Sequence, residues 1–128
     1  MIRMTLVALL VGVFPRVARA QTKSDSLPAG VTTEMVAKGK VLFEGSGLCA
    51  ACHGIEGKGS LGPDLTDSTW LHQKGTFAQI AAQILAGISQ DESKSGNPMP
   101  ARGGSGLDDD EVKAVAAYVW TLSQHRSR

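Results

Sequence analysis

The sequence has few cysteines, no long apolar run and almost no net charge, and each shortage excludes a class of protein. Its two cysteines, at positions 49 and 52, leave no room for a disulfide framework. The longest apolar stretch, residues 4–14, is shorter than the roughly 20 residues that a membrane-spanning helix needs. Thirteen basic and twelve acidic residues give a formal net charge of +1, which gives no sign of the clustered basic surface that binds nucleic acid.

The first part of the chain has the features of a secretory signal peptide. Arg3 precedes the apolar run, and Ala18-Arg19-Ala20 is the small-residue pattern that signal peptidase cuts. We therefore predict a signal peptide over residues 1–20, a polar, flexible lead-in over residues 21–31 and one domain over residues 32–128. Cleavage would remove three arginines and leave a slightly acidic mature chain without a membrane span. A retained membrane anchor is the alternative.

The CAACH run that starts at Cys49 is the most informative motif. On one helical turn Cys49, Cys52 and His53 share a face, so two thiols and an imidazole can meet one flat group. This spacing is the attachment signature of c-type haem. The thiols add to the haem vinyl groups as thioethers, and the histidine ligates the iron as the proximal ligand. With both cysteines used in this way, no disulfide is available.

Three other interpretations of this run remain open. A redox dithiol would need the motif near a βαβ pattern, and no strand pattern is found in the chain. A zinc site would need four ligands, but the other two histidines, His72 and His125, do not form a pair at a ligand spacing. The third is a chance occurrence of the run in a secreted chain, which the downstream residues described below argue against.

Hydrophobic periodicity predicts helices on both sides of the run. The first covers residues 33–44, the second residues 76–88, and a last helix follows Asp108, whose capping box is completed by Glu111. A glycine inside a helix costs about 1 kcal/mol against alanine. We therefore expect another helix to approach Gly39 closely, with simple tolerance as the alternative. The pattern predicts an all-α domain.

Two further residues have chemistry that suits an iron site. The carbonyl of Pro63 can accept a hydrogen bond from the free ring nitrogen of His53 and fix the imidazole, although a plain turn also explains the proline. Met99 has proline on both sides, which holds its thioether on a stiff, extended segment. It suits a distal axial ligand, and the alternatives are a vacant position or His72.

Two residues are candidates for contact with the haem propionates. Trp70 can point its indole N–H at a propionate, or its ring can serve only for packing. Arg102 can pair with a propionate through its guanidinium or face solvent, and we expect the second.

Taken together, these residues resemble class I cytochromes c, and among them the haem domains of the membrane-anchored cytochrome subunit of cbb-type oxidases. The resemblance covers about residues 39–122. Those subunits carry a membrane anchor and usually more than one haem, whereas this chain has a single CxxCH. The resemblance rests on Gly39, Phe43, the CAACHG run, GKG at 57–59, GPDLTD at 62–67, Trp70-Leu71-His72, Met99-Pro100, Gly103-Gly104, Tyr118-Val119 and Leu122-Ser123.

The resemblance implies a class I cytochrome c fold of about four helices around one covalently bound haem c whose edge is partly exposed. It places the axial methionine at Met99 and makes the last helix cross the first at Gly39, with Phe43 and Tyr118 at the contact. Because thioethers are attached outside the bacterial cytoplasm in this family, it also implies a periplasmic location. The loops around the haem would contain four cations that form a basic rim: Lys58, Lys74, Lys94 and Arg102.

The function that follows is the transfer of single electrons between redox proteins. A neutral thioether opposite histidine favours ferrous iron and fills the position that oxygen chemistry would need. We therefore expect no catalysis, and the protein would be a monomer or a subunit of a redox complex. The alternatives are an electron-accepting subunit docked on a dehydrogenase or terminal oxidase, and a haem enzyme or gas sensor.

Overall fold

The computed structural model describes residues 26–124. The predicted signal peptide, residues 21–25 of the lead-in and residues 125–128 lie outside this range. Within it the chain forms four α-helices and two short 3-10 turns, with an isolated bridge between Ile88 and Met99 as its only β-type pairing, so the all-α prediction is confirmed. The helices are α1 (Thr33–Glu44), α2 (Cys49–His53), α3 (Phe77–Ala86) and α4 (Asp109–Gln124), and the turns are Ile55–Gly57 and Ala101–Gly104.

Capping side chains begin α1 and α4. The hydroxyl of Thr32 accepts a hydrogen bond from the N–H of Met35 at 3.2 Å and starts α1. Before α4, the N–H of Glu111 donates to a carboxylate oxygen of Asp108 at 2.8 Å, and the N–H of Asp108 donates to Glu111 at 3.1 Å. This is the reciprocal pair of a capping box. Helix α3 ends before the predicted residue 88, because Gly87 leaves the helical region at φ +72°.

Helices α1 and α4 make the most extensive contact in the described part of the chain. At their crossing, a Cβ added to Gly39 would lie 1.9 Å from the carbonyl oxygen of Ala114 and 3.0 Å from Cβ of Tyr118. One turn further, the rings of Phe43 and Tyr118 meet edge to face with centroids 5.4 Å apart. The expected close approach at Gly39 is therefore confirmed, and simple tolerance of the glycine is excluded.

The core lies between α4 and the two helices that pack against it. The most completely buried large side chains are Phe43 of α1 and Val112 and Val115 of α4. Helix α3 adds Ile80 and Ile84 to the same cluster. No helix in residues 26–124 is both long and apolar enough to cross a bilayer. Residues between α2 and α3, and between α3 and α4, form the loops that border the site described next.

Candidate haem-binding site

Helix α2 is a single turn held between two unusual backbone conformations. Leu48 precedes it at φ +58° and Gly54 follows it at φ +76°, so the turn can neither extend backwards nor forwards as a helix. Cys49 is buried and Cys52 is exposed. Both cysteines and His53 line one groove, as their spacing predicts.

This groove has two compartments. The outer groove contains about 670 Å³ of empty space, and the inner pocket, which is lined by the buried side chains of Phe43 and Val115 among others, about 380 Å³. Both volumes include space that is open to solvent. The compartments share the side chains of Cys49, His53, Gln83 and Met99. A flat group between His53 and Met99 could therefore extend into both.

His53 is held in the form that binds a metal. Its Nδ1 lies 3.0 Å from the carbonyl oxygen of Pro63, so the predicted hydrogen bond is present. When Nδ1 carries the proton for that bond, the lone pair of Nε2 is available as a ligand. Gly62 lies against the ring, where an added Cβ would be 3.1 Å from Nδ1. Burial lowers the pKa of His53 and the Pro63 bond opposes that effect, so burial favours the neutral imidazole.

Met99 is held by its backbone. Its N–H donates to the carbonyl of Ile88 at 2.9 Å, and the N–H of Ile88 donates to the carbonyl of Met99 at 2.7 Å. Gly87 makes this approach possible, because a Cβ there would lie 2.5 Å from the carbonyl oxygen of Met99. The flanking prolines predicted a stiff segment. The two hydrogen bonds to Ile88 also fix where this segment lies, beside the end of α3.

The two cysteines are unlike a redox pair. Cys49, the first of the motif, donates from its thiol to the carbonyl of Gly47 at 3.3 Å. Burial raises the pKa of its thiol to about 11. A disulfide oxidoreductase instead needs a thiolate near neutral pH. Because strands are also absent from residues 26–124, the structure disfavours the redox-dithiol interpretation.

The structure does not support a zinc site. It also does not support His72 as an iron ligand. Within residues 26–124, no three side chains of His, Cys, Asp or Glu cluster as metal ligands. His72 does line the outer groove. However, its Nε2 accepts from the N–H of Lys94 at 3.0 Å and lies 3.1 Å from the carbonyl oxygen of Glu92. Its ring therefore ties down the loop that leads to Met99.

Arg102 makes two contacts within the protein that the sequence did not predict. Its guanidinium donates to the carbonyl oxygen of Leu107 at 2.8 Å and to a carboxylate oxygen of Asp109 at 2.7 Å. Its side chain is 35% exposed, so the expectation that it faces solvent holds in part, and these contacts join the loop after Met99 to the start of α4. Lys58 likewise pairs with Glu56. Two of the four cations in the predicted basic rim are therefore neutralised locally.

Trp70 lies in the inner pocket, as its predicted role requires. It packs against the core cluster, and Gly75 lies so close that an added Cβ would be 2.1 Å from the indole nitrogen. Contact of this N–H with a propionate stays a prediction. Sequence reasoning missed two polar residues of the pocket, Gln73 and Gln83, because single glutamines in a loop and a helix have no spacing that marks a site.

Comparison with known proteins agrees with this geometry. The cytochrome c family matches residues 36–123. The cbb3-type cytochrome c oxidase subunit FixP of Azorhizobium caulinodans is 43% identical over 90 residues, which cover 68% of this chain and 29% of that subunit. Cytochrome c6 of Tetradesmus obliquus is 42% identical over 85 residues, covering 66% of this chain and 88% of that protein. The chain thus spans less than a third of the oxidase subunit.

A solved structure gives the same assignment. Cytochrome cL of the marine methylotrophic bacterium Methylophaga aminisulfidivorans superposes with a TM-score of 0.54 at 25% identity, over 73% of this chain and 56% of that one. Covalent haem c is the cofactor of the family, and this chain has both attachment cysteines, Cys49 and Cys52. The resemblance to class I cytochromes c is confirmed, and the chain belongs to the cytochrome c family.

Proposed function

We propose that this protein carries single electrons between redox proteins through one haem c that is bound covalently by Cys49 and Cys52. The observation that carries the proposal is the position of His53 and Met99, which line both compartments of one groove. An imidazole and a thioether are the axial pair of electron-transferring cytochromes c. When bound, haem supplies an iron that changes between its ferrous and ferric states.

Each ligand has a defined task in this proposal. His53 presents Nε2 while Pro63 accepts from Nδ1, which raises the basicity of the imidazole and fixes its orientation. Met99 presents a neutral sulfur, which favours ferrous iron and raises the reduction potential. If both side chains bind the iron, no coordination position would be left on it for a substrate. We therefore infer a carrier without catalysis of its own.

Residues 1–20 support a location outside the cytoplasm, since they have the pattern of a secretory signal peptide. We place the protein in the periplasm. The N-terminal sequence of protein isolated from that compartment should begin at Gln21. A start at Met1 in membrane fractions would instead support a retained anchor.

A freely diffusing carrier is favoured over a docked subunit. The match to cytochrome c6 covers 88% of that protein, whereas the match to the oxidase subunit covers 29% of it. The second candidate function, an electron-accepting subunit of a dehydrogenase or terminal oxidase, rests on that oxidase relative. Tagged protein isolated from the periplasm should run as a monomer if it is a carrier, and should copurify with a larger partner if it is a subunit.

Covalent attachment is the first experiment. Protein made in cells with c-type maturation should keep its haem stain through a denaturing gel, because thioether bonds survive denaturation. The double substitution Cys49→Ala with Cys52→Ala should lose the stain, and Met35→Ala, which leaves the groove untouched, should retain it. Complete release of haem into acidified organic solvent would contradict the proposal.

A further inference from the structure

One polar group of the inner pocket has no partner among residues 26–124. The side-chain oxygen of Gln73 accepts a hydrogen bond from the N–H of Gly75. The side-chain nitrogen, Nε2, is buried and has no hydrogen-bond partner among the residues that the structure describes. A buried donor without an acceptor costs about 1–3 kcal/mol. Such a group needs an explanation, and a bound acceptor is one.

The orientation of this amide is determined by its neighbours. Because the N–H of Gly75 can only donate, the oxygen of Gln73 must face it, and the NH2 group takes the other side. Gly75 has φ +75° and leaves no room for a Cβ beside the indole nitrogen of Trp70. Trp70, Gln73 and Gly75 therefore pack together. Both Trp70 and Gln73 line the inner pocket.

The rest of the inner pocket offers little that Gln73 could bind. Gln83, the second amide of the lining, does not accept from Gln73 Nε2, and the described lining contains no lysine or arginine that could pair with a carboxylate there. Most of the lining side chains are apolar, namely Phe43, Leu65, Ile80, Ile84, Val115 and Val119. The group that fills the pocket is then the candidate acceptor for Gln73. Once both vinyl groups of a haem are used by cysteines, its propionates are the carboxylates that remain.

We propose that Gln73 donates a hydrogen bond from Nε2 to a haem propionate, and that this amide, with no cation beside it, sets how readily that propionate ionises. The inference rests on the proposed function, since the acceptor belongs to the haem. A hydrogen bond to the charged form of a carboxylate favours that form. Without it the propionate should take up a proton at higher pH, and the reduction potential should respond to pH over a different range.

Two variants separate this role from a structural one. Gln73→Glu keeps an oxygen for the N–H of Gly75 but replaces the donor by a carboxylate. Gln73→Met removes both groups at similar volume. The matched control is Gln79→Met, because Gln79 is exposed, bonds to Lys74 of the same loop and does not line the pocket.

The measurement is the midpoint potential as a function of pH. In both Gln73 variants the pH at which the potential begins to change should rise by about one unit, equivalent to a tenfold change in proton affinity. The control should match the wild type. A wild-type profile in Gln73→Glu would overturn the proposal and leave Gln73 only its bond to Gly75.

A measurement on the unaltered protein decides the matter if the variants fold poorly. In the reduced, nitrogen-15-labelled holoprotein, the side-chain amide protons of Gln73 should show nuclear Overhauser contacts to a propionate methylene group and exchange slowly with water. Contacts to water alone would overturn the inference, since a buried water would then be the acceptor. Absence of covalent haem is a different failure, because the gel stain detects it and it contradicts the proposed function itself.

Discussion

At the residue scale, the site depends on two residues that the fold holds in place, His53 through its ring and Met99 through its backbone. His53 is held through Nδ1 by the carbonyl of Pro63, and the peptide groups of Met99 are both bonded to Ile88. Ligands positioned in this way lose little entropy when they bind iron. Each ligand should therefore be hard to displace from the metal while the fold is intact.

Met99→Ala tests the proposed iron ligand directly. The variant should lose the sulfur-to-iron charge-transfer band of the oxidised protein and have a lower reduction potential, because the thioether that favours ferrous iron is gone. Reduced variant should also bind carbon monoxide at neutral pH, whereas the wild type should not. Met35→Ala is the control, since Met35 lies on α1 and does not line the groove. An unchanged band in Met99→Ala would mean that another residue ligates the iron.

At the element scale, one contact between α1 and α4 holds the domain together. Gly39 lets the two backbones approach until the carbonyl of Ala114 occupies the place of a Cβ. Four residues on, Phe43 reaches Tyr118 across the same interface. Since α4 also supplies Val115 and Val119 to the inner pocket, the crossing positions the wall of the site.

Gly39→Ala tests the close approach of α1 and α4, because two opposing effects predict opposite signs for the change in the free energy of unfolding. Helix propensity alone would stabilise the protein by about 1 kcal/mol, because alanine is the better helix former. The clash with the backbone of Ala114 should instead destabilise it by about 1–3 kcal/mol, as overpacking does. Denaturant unfolding of the haem-bound protein measures the difference.

The control for this test is the exposed neighbour Ala37. Ala37→Gly should lose about 1 kcal/mol through propensity alone. If Gly39→Ala raised the free energy of unfolding, the helices would not be in contact there.

At the scale of the whole molecule, the mouth of the outer groove is apolar rather than strongly charged. Leu48 and Leu61 line the outer groove and are 51% and 66% exposed. Two of the four cations predicted around it, Lys58 and Arg102, pair with acidic neighbours. Electron exchange should then depend on contact at this mouth more than on long-range steering.

Leu61→Asp tests where electrons leave the protein. In electron self-exchange two copies meet at the same face, so the substitution places two carboxylates near each other. A repulsion of about 1 kcal/mol at contact would slow the exchange roughly fivefold, and added salt should restore the rate. Broadening of the nuclear magnetic resonance lines in mixtures of oxidised and reduced protein measures the self-exchange rate.

Ile55→Asp is the matched control, because Ile55 is 75% exposed but does not line the groove. Its self-exchange rate should stay close to that of the wild type. Equal slowing by both substitutions would contradict exchange at the groove mouth.

The sequence by itself determined those features that depend on residues close together in the chain. Helical periodicity and capping residues predicted α1 over residues 33–44 and the capping box of Asp108 and Glu111, because both arise within one or two turns. The CAACH run identified the cofactor because one helical turn supplies both thiols that attach the haem edge and the imidazole that ligates the iron. Gly39 inside a helix likewise indicated that another helix crosses closely there. It did not indicate that the carbonyl oxygen of Ala114 would occupy the place of a Cβ.

The tertiary structure alone decided the features that join distant parts of the chain. Ile88 meets Met99 through two backbone hydrogen bonds, and the guanidinium of Arg102 donates to Leu107 and Asp109. Neither arrangement follows from local pattern, because a peptide group or a guanidinium bonds to whichever partner the fold places nearby. Gln73 is the clearest case, since an isolated loop glutamine becomes informative only when packing buries its nitrogen without an acceptor.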